Sequence, residues 1–430
     1  MKVVVIGLWH QGVVGAACLA SLGYDVVAAD HDAERVATLS KGKAPLFEPG
    51  LDDLLEKGLA SGLLHFTIDV AGAVKGRRDV MLMFDTPVNE KDESDLSEIF
   101  LTAREIAPNL EGDTLLHVTA QVPIGTCDAI ATTILNVNPK ARFGIGYSPE
   151  NLRLGQAIDR FLHPPLPVIG ADTQATLDRM DQLLAPLDCT WERVTLRTAE
   201  MTKHALNGFL AVSITYANEL GNLCDEVGAD GRRMAEVLRM EPRIGSKAML
   251  FPGLGFSGGT LARDLQTLRG IGDKHAIETP LLDGVWTANV RQNQLVVRKL
   301  KRIFGSLRGL RVTVLGLTYK PDTSTLRRSA SIEIIGDLVR EGARVVGHDP
   351  MADRAEVATH KEFSFNEDVY QAVQGAEALV LITPWAEYRK LDYARMCSSM
   401  TRPVLIDTAN MLDAATMTAQ GFTYQGVGRG

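Results

Sequence analysis

The 430-residue sequence predicts an α/β protein: two Rossmann-like doubly wound parallel-sheet domains joined by a long central helix. Three observations lead there. Apolar, β-branched runs alternate with helical patterns at both ends of the chain, the arrangement that builds doubly wound sheets. Between them a single apolar stripe recurs at intervals of three or four residues, the period of one helix face. The length also exceeds the ~250–300 residues at which one core tends to split. The pattern divides the chain at 1–197, 198–305 and 306–430.

In chain order, Val3-Val4-Val5-Ile6-Gly7 reads as a parallel strand buried on both faces. Small and apolar residues from Ala16 to Leu22 then predict a short helix stopped by Gly23. Asp25 to Asp30 is a second strand ending in an acid, which closes one βαβ unit. Further strands are expected at Val80–Phe84, Thr114–Val118 and Phe143–Tyr147. From Met201 the residues Ala205, Phe209, Val212, Tyr216, Leu220, Cys224 and Val227 form the central stripe, ended by Gly228. So long a helix is expected to bridge domains or support a dimer. A second helical run covers about 280–304. After Gly309 the α/β pattern restarts with strands at Arg311–Leu315, Ala343–His348, Ala378–Ile382 and Pro403–Asp407.

Composition narrows the function classes. Hydrophobic residues make up 45% and charged residues 23%, which excludes disordered, collagen-like and disulfide-stapled chains. The formal net charge of −8 argues against nucleic acid or an anionic membrane as the main partner, and leaves room for a local basic pocket for a phosphorylated small molecule. No apolar run reaches the length of a membrane span. The first strand begins at Lys2 without a charged leader, and the five cysteines (Cys18, Cys127, Cys189, Cys224, Cys397) form no C-x-x-C pair. Reduced thiols and a cytoplasmic location are therefore expected, with no metal site.

Gly7-Leu8-Trp9-His10-Gln11-Gly12 follows the first strand, where a dinucleotide fold carries G-x-G-x-x-G with an acid about twenty residues on. Gly7 and Gly12 fit that fingerprint. Asp30 is placed to take ribose hydroxyls, and its charge would repel a 2′-phosphate, which favours NAD over NADP. Trp9 replaces the middle glycine. It either lines the nicotinamide or packs into the fold, and packing is the preferred reading. His10 could act as an acid or base, but a loop histidine is more often solvated. The competing reading of the whole motif is a Rossmann-like unit that has lost its cofactor.

Seven blocks in order resemble the UDP-glucose/GDP-mannose 6-dehydrogenase family, over nearly the whole chain. Gly42-Lys43-Ala44-Pro45-Leu46-Phe47-Glu48-Pro49-Gly50-Leu51 matches the stretch after strand two, Asp85-Thr86-Pro87 a T-P turn, and Val122-Pro123-Ile124-Gly125-Thr126 a V-P-x-G-T turn. Pro149-Glu150-Asn151-Leu152-Arg153-Leu154-Gly155 resembles P-E-F-L-R-E-G, and Ala199 to Asn207 resembles A-E-x-x-K-x-x-x-N. Gly253 to Asp264 and Gly316-Leu317-Thr318-Tyr319-Lys320-Pro321 complete the set. The resemblance implies an N-terminal NAD domain, a central helical domain forming a homodimer, and a C-terminal nucleotide-sugar domain. It implies oxidation of a primary alcohol on a nucleotide-linked sugar to a carboxylate, with two NAD. NAD contacts are then expected at Gly7, Trp9, His10, Gln11, Gly12, Asp30, Arg35, Thr86 and Gln121, and substrate contacts at Leu152, Arg243, Gly255, Phe256 and Lys320.

The resemblance also assigns chemistry. Lys203 and Asn207, spaced i, i+4, share a helix face and match the pair at the reacting sugar carbon, where an ammonium and an amide can stabilise an alkoxide. Asp264 matches the aspartate that holds a catalytic water beside that lysine, and Glu150 matches the family's first glutamate. The plain alternatives are a solvated helix face for Lys203 and Asn207, surface charges for Arg243 and Lys320, and a flexible loop for the glycines of 253–259.

Thr260 is the decisive departure, because the family has its catalytic cysteine there. A thiolate forms the thiohemiacetal on which the second oxidation depends, and a threonine hydroxyl has a much higher pKa and no evident base. Leu154 replaces a second glutamate, Gln121 a threonine, Arg263 a lysine and Ala409 an arginine, while Ser324-Thr325 replaces an aspartate pair. The losses at Thr260, Leu154 and Gln121 fall on the second half of the reaction, while those at Arg263, Ala409 and Ser324-Thr325 concern binding. The expectation is therefore an NAD-dependent enzyme on a nucleotide sugar or nucleotide that performs one two-electron alcohol/carbonyl step. The alternatives are a full four-electron enzyme with another nucleophile such as Cys127, a redox-neutral epimerase, and a catalytically retired NAD- or nucleotide-binding protein.

Overall fold

The computed structural model describes residues 1–87, 94–187, 189–256 and 259–429. Its chain divides into two compact units, Met1–Leu206 and Asn207–Gly430.

The first unit is built on eight strands: β1 (Lys2–Ile6), β2 (Asp25–Ala29), β3 (Leu64–Thr67), β4 (Asp79–Leu82), β5 (Thr114–Val118), β6 (Phe143–Tyr147), β7 (Val168–Ala171) and β8 (Glu192–Thr195). They lie in the order β3-β2-β1-β4-β5-β6-β7-β8. All neighbouring pairs are parallel except β6 with β7. β1 carries β-branched residues on both faces because both are covered. Val3 and Val5 enter one apolar cluster, Val4 and Ile6 the other, and all four are fully buried. Each such side chain contributes about 1.5–3 kcal/mol over an exposed one. The strand order reverses between β1 and β4, and that switch point opens a crevice at the strands' carboxyl ends.

Helix α1 (His10–Ser21) follows β1 directly. Its contact face is made of small residues, so it packs close to the sheet: Ala16, Ala17 and Cys18 are fully buried. The helix Thr126–Val137 begins at Gly125 with φ +89 and has no side-chain cap of its own. Glu200 supplies one from a distant segment. Its wholly buried carboxylate accepts from Gly125 N at 2.6 Å and Cys127 N at 2.9 Å.

The second unit holds a six-stranded, all-parallel sheet. Its strands are β9 (Arg311–Leu315), β10 (Arg344–His348), β11 (Ser364–Phe365), β12 (Ala378–Leu381), β13 (Val404–Asp407) and β14 (Thr423–Gln425), in the order β11-β10-β9-β12-β13-β14. Two apolar clusters again cover its two faces. Helices Gly259–His275, Pro280–Asn293 and Leu295–Phe304 precede the sheet, so the expected run at 280–304 is two helices meeting at Gln294.

The long helix is continuous from Leu196 to Val227, and Gly228 follows with φ +70. Its stripe is not fully covered by the described residues: Phe209, Tyr216 and Val227 are 53–76% exposed, and so is Leu223 beside the stripe. No helix among the described residues is long and apolar enough to cross a membrane.

Glu200→Ala would leave the buried Cys127 amide and the half-buried Gly125 amide, at the start of Thr126–Val137, without that acceptor. The expected loss is about 2–4 kcal/mol, read from the denaturant midpoint at unchanged m-value.

Candidate functional site

The glycine-rich turn is shaped by close approach. Gly7 has φ +94, a left-handed conformation that a side chain would strain, and its N–H donates to Ala29 O at 3.1 Å. A Cβ on Gly12 would lie 1.7 Å from the Gly7 carbonyl oxygen, so position 12 admits no side chain. Asp30, buried at the end of β2, accepts from Leu8 N at 2.6 Å and from Asp32 N at 2.9 Å. Arg35 Nη1 donates to both its oxygens, at 3.0 and 2.9 Å.

Trp9 does not pack into the fold, contrary to the reading preferred from sequence. It is 40% exposed, with the Arg35 guanidinium 5.2 Å from its ring centroid. The reason is space: Leu8 on one side and Gln11, Gly12 and Val13 on the other are already buried, so the indole turns outward and stacks on a cation. His10 is likewise not a solvated loop histidine. It is buried, and its Nε2 lies 3.1 Å from Glu48 Oε2. The buried Glu48 carboxylate also accepts from Gly155 N at 2.9 Å and Ala157 N at 2.8 Å. It thus ties the turn to the loop after β6. Gln11 is held at both ends, its N–H donating to Asp85 Oδ2 at 3.0 Å and its side-chain oxygen accepting from Thr119. Thr86 is half-buried after β4, and Gln121 is buried just past β5.

Lys203 and Asn207 are one helical turn apart, and both are buried at 6% and 5% exposure, so they are not a solvated face. Lys203 Nζ donates to Asn151 Oδ1 at 2.7 Å. Glu150 precedes that asparagine and accepts from Leu152 N. Desolvation raises the Glu150 carboxyl above the usual range, against the pull of the Lys203 ammonium and the Leu152 amide. Leu152 is half-buried and Leu154 exposed.

In the second unit, Asn207 Nδ2 donates to the fully buried carboxylate of Asp264, and Arg263 Nε lies 3.6 Å from its other oxygen. Thr260 stands one turn before Asp264 on the helix Gly259–His275, and it is exposed. The preceding loop is clamped, not flexible, over its described part. Asn218 bonds Gly253 N and Leu254 O, Asn289 bonds both polar backbone atoms of Phe256, and Gln292 donates to Gly253 O. A Cβ on Gly255 would meet Asn289 O at 2.9 Å. Ser257 and Gly258 lie outside the described residues. Arg243 is exposed and pairs with Glu241 at 2.8 Å, and Lys320 is half-buried beyond β9.

The first unit therefore gathers Gly7, Gly12, Asp30, Arg35, Trp9, His10 and Gln11 around one turn. The second gathers Asn207, Thr260 and Asp264. Arg243 and Lys320 stand on other segments. Sequence reasoning passed over Glu48, Asp85 and Asn151, though each lies inside a quoted block. Their roles depend on partners 38 to 109 residues away.

A dinucleotide fits the first unit. The turn closes as tightly as the fold needs, α1 presents its N-terminus to the switch-point crevice, and Asp30 stands at the end of β2. Glu48→Ala would release His10 and two loop amides together. An NAD dissociation constant about tenfold higher is expected by titration calorimetry, with Glu48→Gln, which retains an acceptor oxygen, in between.

Comparison with known proteins agrees with this geometry. Residues 1–188 match the NAD binding domain of the UDP-glucose/GDP-mannose dehydrogenase family, residues 197–291 its central domain, and residues 313–414 its UDP binding domain. The UDP-glucose 6-dehydrogenase of Rhizobium meliloti (strain 1021) is 37% identical, with all of both chains covered. That of Pseudomonas aeruginosa PAO1 is 34% identical over all of this chain and 98% of its own. The structure of a UDP-glucose dehydrogenase from Pyrobaculum islandicum superposes with a TM-score of 0.89 at 30% identity, covering all of this chain and 98% of that one. A dinucleotide turn, a buried lysine and asparagine on one long helix, and three consecutive domain matches lead to one conclusion: the chain belongs to the UDP-glucose/GDP-mannose dehydrogenase family and is an NAD-dependent nucleotide-sugar dehydrogenase acting on CH–OH.

Proposed function

We propose that this enzyme oxidises one alcohol carbon of a nucleotide sugar or nucleotide in a single two-electron step and stops at the carbonyl. The observation that carries the reading is Thr260, which stands one turn before Asp264 where the family resemblance implies a cysteine. Cys18, Cys127, Cys224 and Cys397 are not ready substitutes. Cys18 and Cys127 are fully buried. Burial pushes the Cys18 thiol up to about 12, and burial together with the Glu200 carboxylate holds Cys127 well above the usual thiol range. Burial also raises the thiols of Cys224 and Cys397.

The roles follow from the residues that remain. NAD, when bound, supplies the acceptor for the hydride. The alcohol O–H proton passes to the Asp264 carboxylate, which Asn207 orients through its amide. The Lys203 ammonium and the Asn207 amide stabilise negative charge developing on the alcohol oxygen. Asn151 sets the position of Lys203, and Glu150 lies beside them with its carboxyl shifted toward the neutral form. Gly7, Trp9, His10, Gln11, Gly12, Asp30, Arg35, Thr86 and Gln121 are proposed for the cofactor. Leu152, Arg243, Gly255, Phe256 and Lys320 are proposed for the substrate. The proposed domains are 1–197 for NAD, 198–305 for the central helices and 306–430 for the nucleotide of the substrate, a division that the three family matches support. The exposed apolar side chains of the long helix support a homodimer, and the cytoplasm is the proposed location.

UDP-glucose, which the names of the relatives cite, is the first substrate to test. One NADH per substrate is expected, with a product two mass units lighter. Two NADH and an acid would overturn the single-step reading, and a product formed without NADH would indicate epimerisation. Lys203→Ala should lower kcat by about 10²–10³ or more while NAD still binds.

A further inference from the structure

The end of β4 carries a carboxylate that the roles above do not use. Asp85 Oδ2 accepts a hydrogen bond from Gln11 N at 3.0 Å. Gln11 is the second residue of α1, so this amide is one of the N–H groups that a helix leaves without an intrahelical partner. Trp9, at the N-cap, offers no side-chain acceptor. The cap comes instead from Asp85, 74 residues away. β4 lies directly beside β1, so their carboxyl ends flank the switch-point crevice.

A helix N-terminus at that crevice is where a dinucleotide's diphosphate sits, held by backbone N–H groups and the helix dipole. Asp85 exploits the same donors with the same sign of charge. The basic side chains nearby are already engaged, Arg35 with Asp30 and Asp32 and His10 with Glu48. Trp9 removes the glycine that would let a diphosphate approach the turn by another path.

We propose that Asp85 is an internal competitor for the cofactor's diphosphate: its carboxylate holds the α1 amide that the diphosphate needs, and NAD binds by displacing it. Asp85 then sets the cofactor affinity without taking part in hydride transfer. The proposal rests on the NAD assignment and is independent of the single-step reading, since one is tested by binding and the other by counting NADH.

The test is titration calorimetry at fixed salt on the full chain and on the variants Asp85→Asn and Asp85→Ser, with three probes. NAD and ADP-ribose carry the diphosphate, and adenosine does not. Both variants are expected to bind NAD and ADP-ribose about tenfold more tightly, with adenosine changed less than about twofold. Asparagine retains an acceptor for Gln11 N, so that variant keeps the helix capped while losing the charge. Thermal melts check that each variant is folded. NAD affinity that is unchanged or weaker in both variants would overturn the proposal, and so would equal tightening of adenosine, which would place the effect outside the diphosphate.

Discussion

The approach of α1 to β1 is the constraint on which the first unit depends. Position 12 lies so close to the Gly7 carbonyl that a single methyl would collide with it. That contact brings the N-terminus of α1 over the end of β1, and it fixes where Trp9, His10 and Gln11 emerge. Each then finds a partner on a different element: Arg35 after β2, Glu48 on the loop before Leu51, and Asp85 after β4. The turn is a hub whose geometry is covalent and steric before it is electrostatic.

Carboxylates that accept backbone N–H bonds organise the loops around both sheets. In the first unit Asp30 holds Leu8 N, the amide after the left-handed Gly7. In the second, Asp349 holds Leu317 N, the amide after the left-handed Gly316. The two sheets repeat one device at their switch points. They differ in what is left over. Asp349 also accepts from Thr318, Met351, Ala352 and the Trp385 indole, so its lone pairs are spoken for. Asp30 accepts instead from Leu8 N, Asp32 N and the Arg35 side chain. This physical asymmetry accords with the match of the first domain to an NAD binding domain and of the last to a UDP binding domain.

The chemical residues divide along the same lines. Lys203, Asn207 and Asp264 are buried, and each has a polar contact that fixes it. Keeping an ammonium and a carboxylate out of water is costly unless geometry compensates, and here the hydrogen bonds to Asn151 and Asn207 do so. Thr260 is exposed and bears only a hydroxyl. On the proposed reading, the groups for the loss of a proton and a hydride are held in ordered positions, and a threonine stands where the family resemblance implies the thiol that would hold an aldehyde covalently.

The fold was legible because its signals are local. Apolar β-branched runs ending in glycine marked β1 and β9, and the three-to-four-residue stripe marked the long helix to within one residue of its end at Val227. The antiparallel pairing of β7 with β6 was not legible, because strand direction leaves no trace in periodicity. Of the site, the residue types and their order were legible in the sequence, including the threonine at position 260 where the family resemblance implies a cysteine, since a substitution at a motif position is visible without coordinates. What the tertiary structure decided was orientation and partnership. Trp9 faces outward because its neighbours fill the interior, His10 is buried because Glu48 comes from another loop to meet it, and Asp85 holds the α1 amide because β4 lies beside β1. Each of these depends on chain segments that only folding brings together.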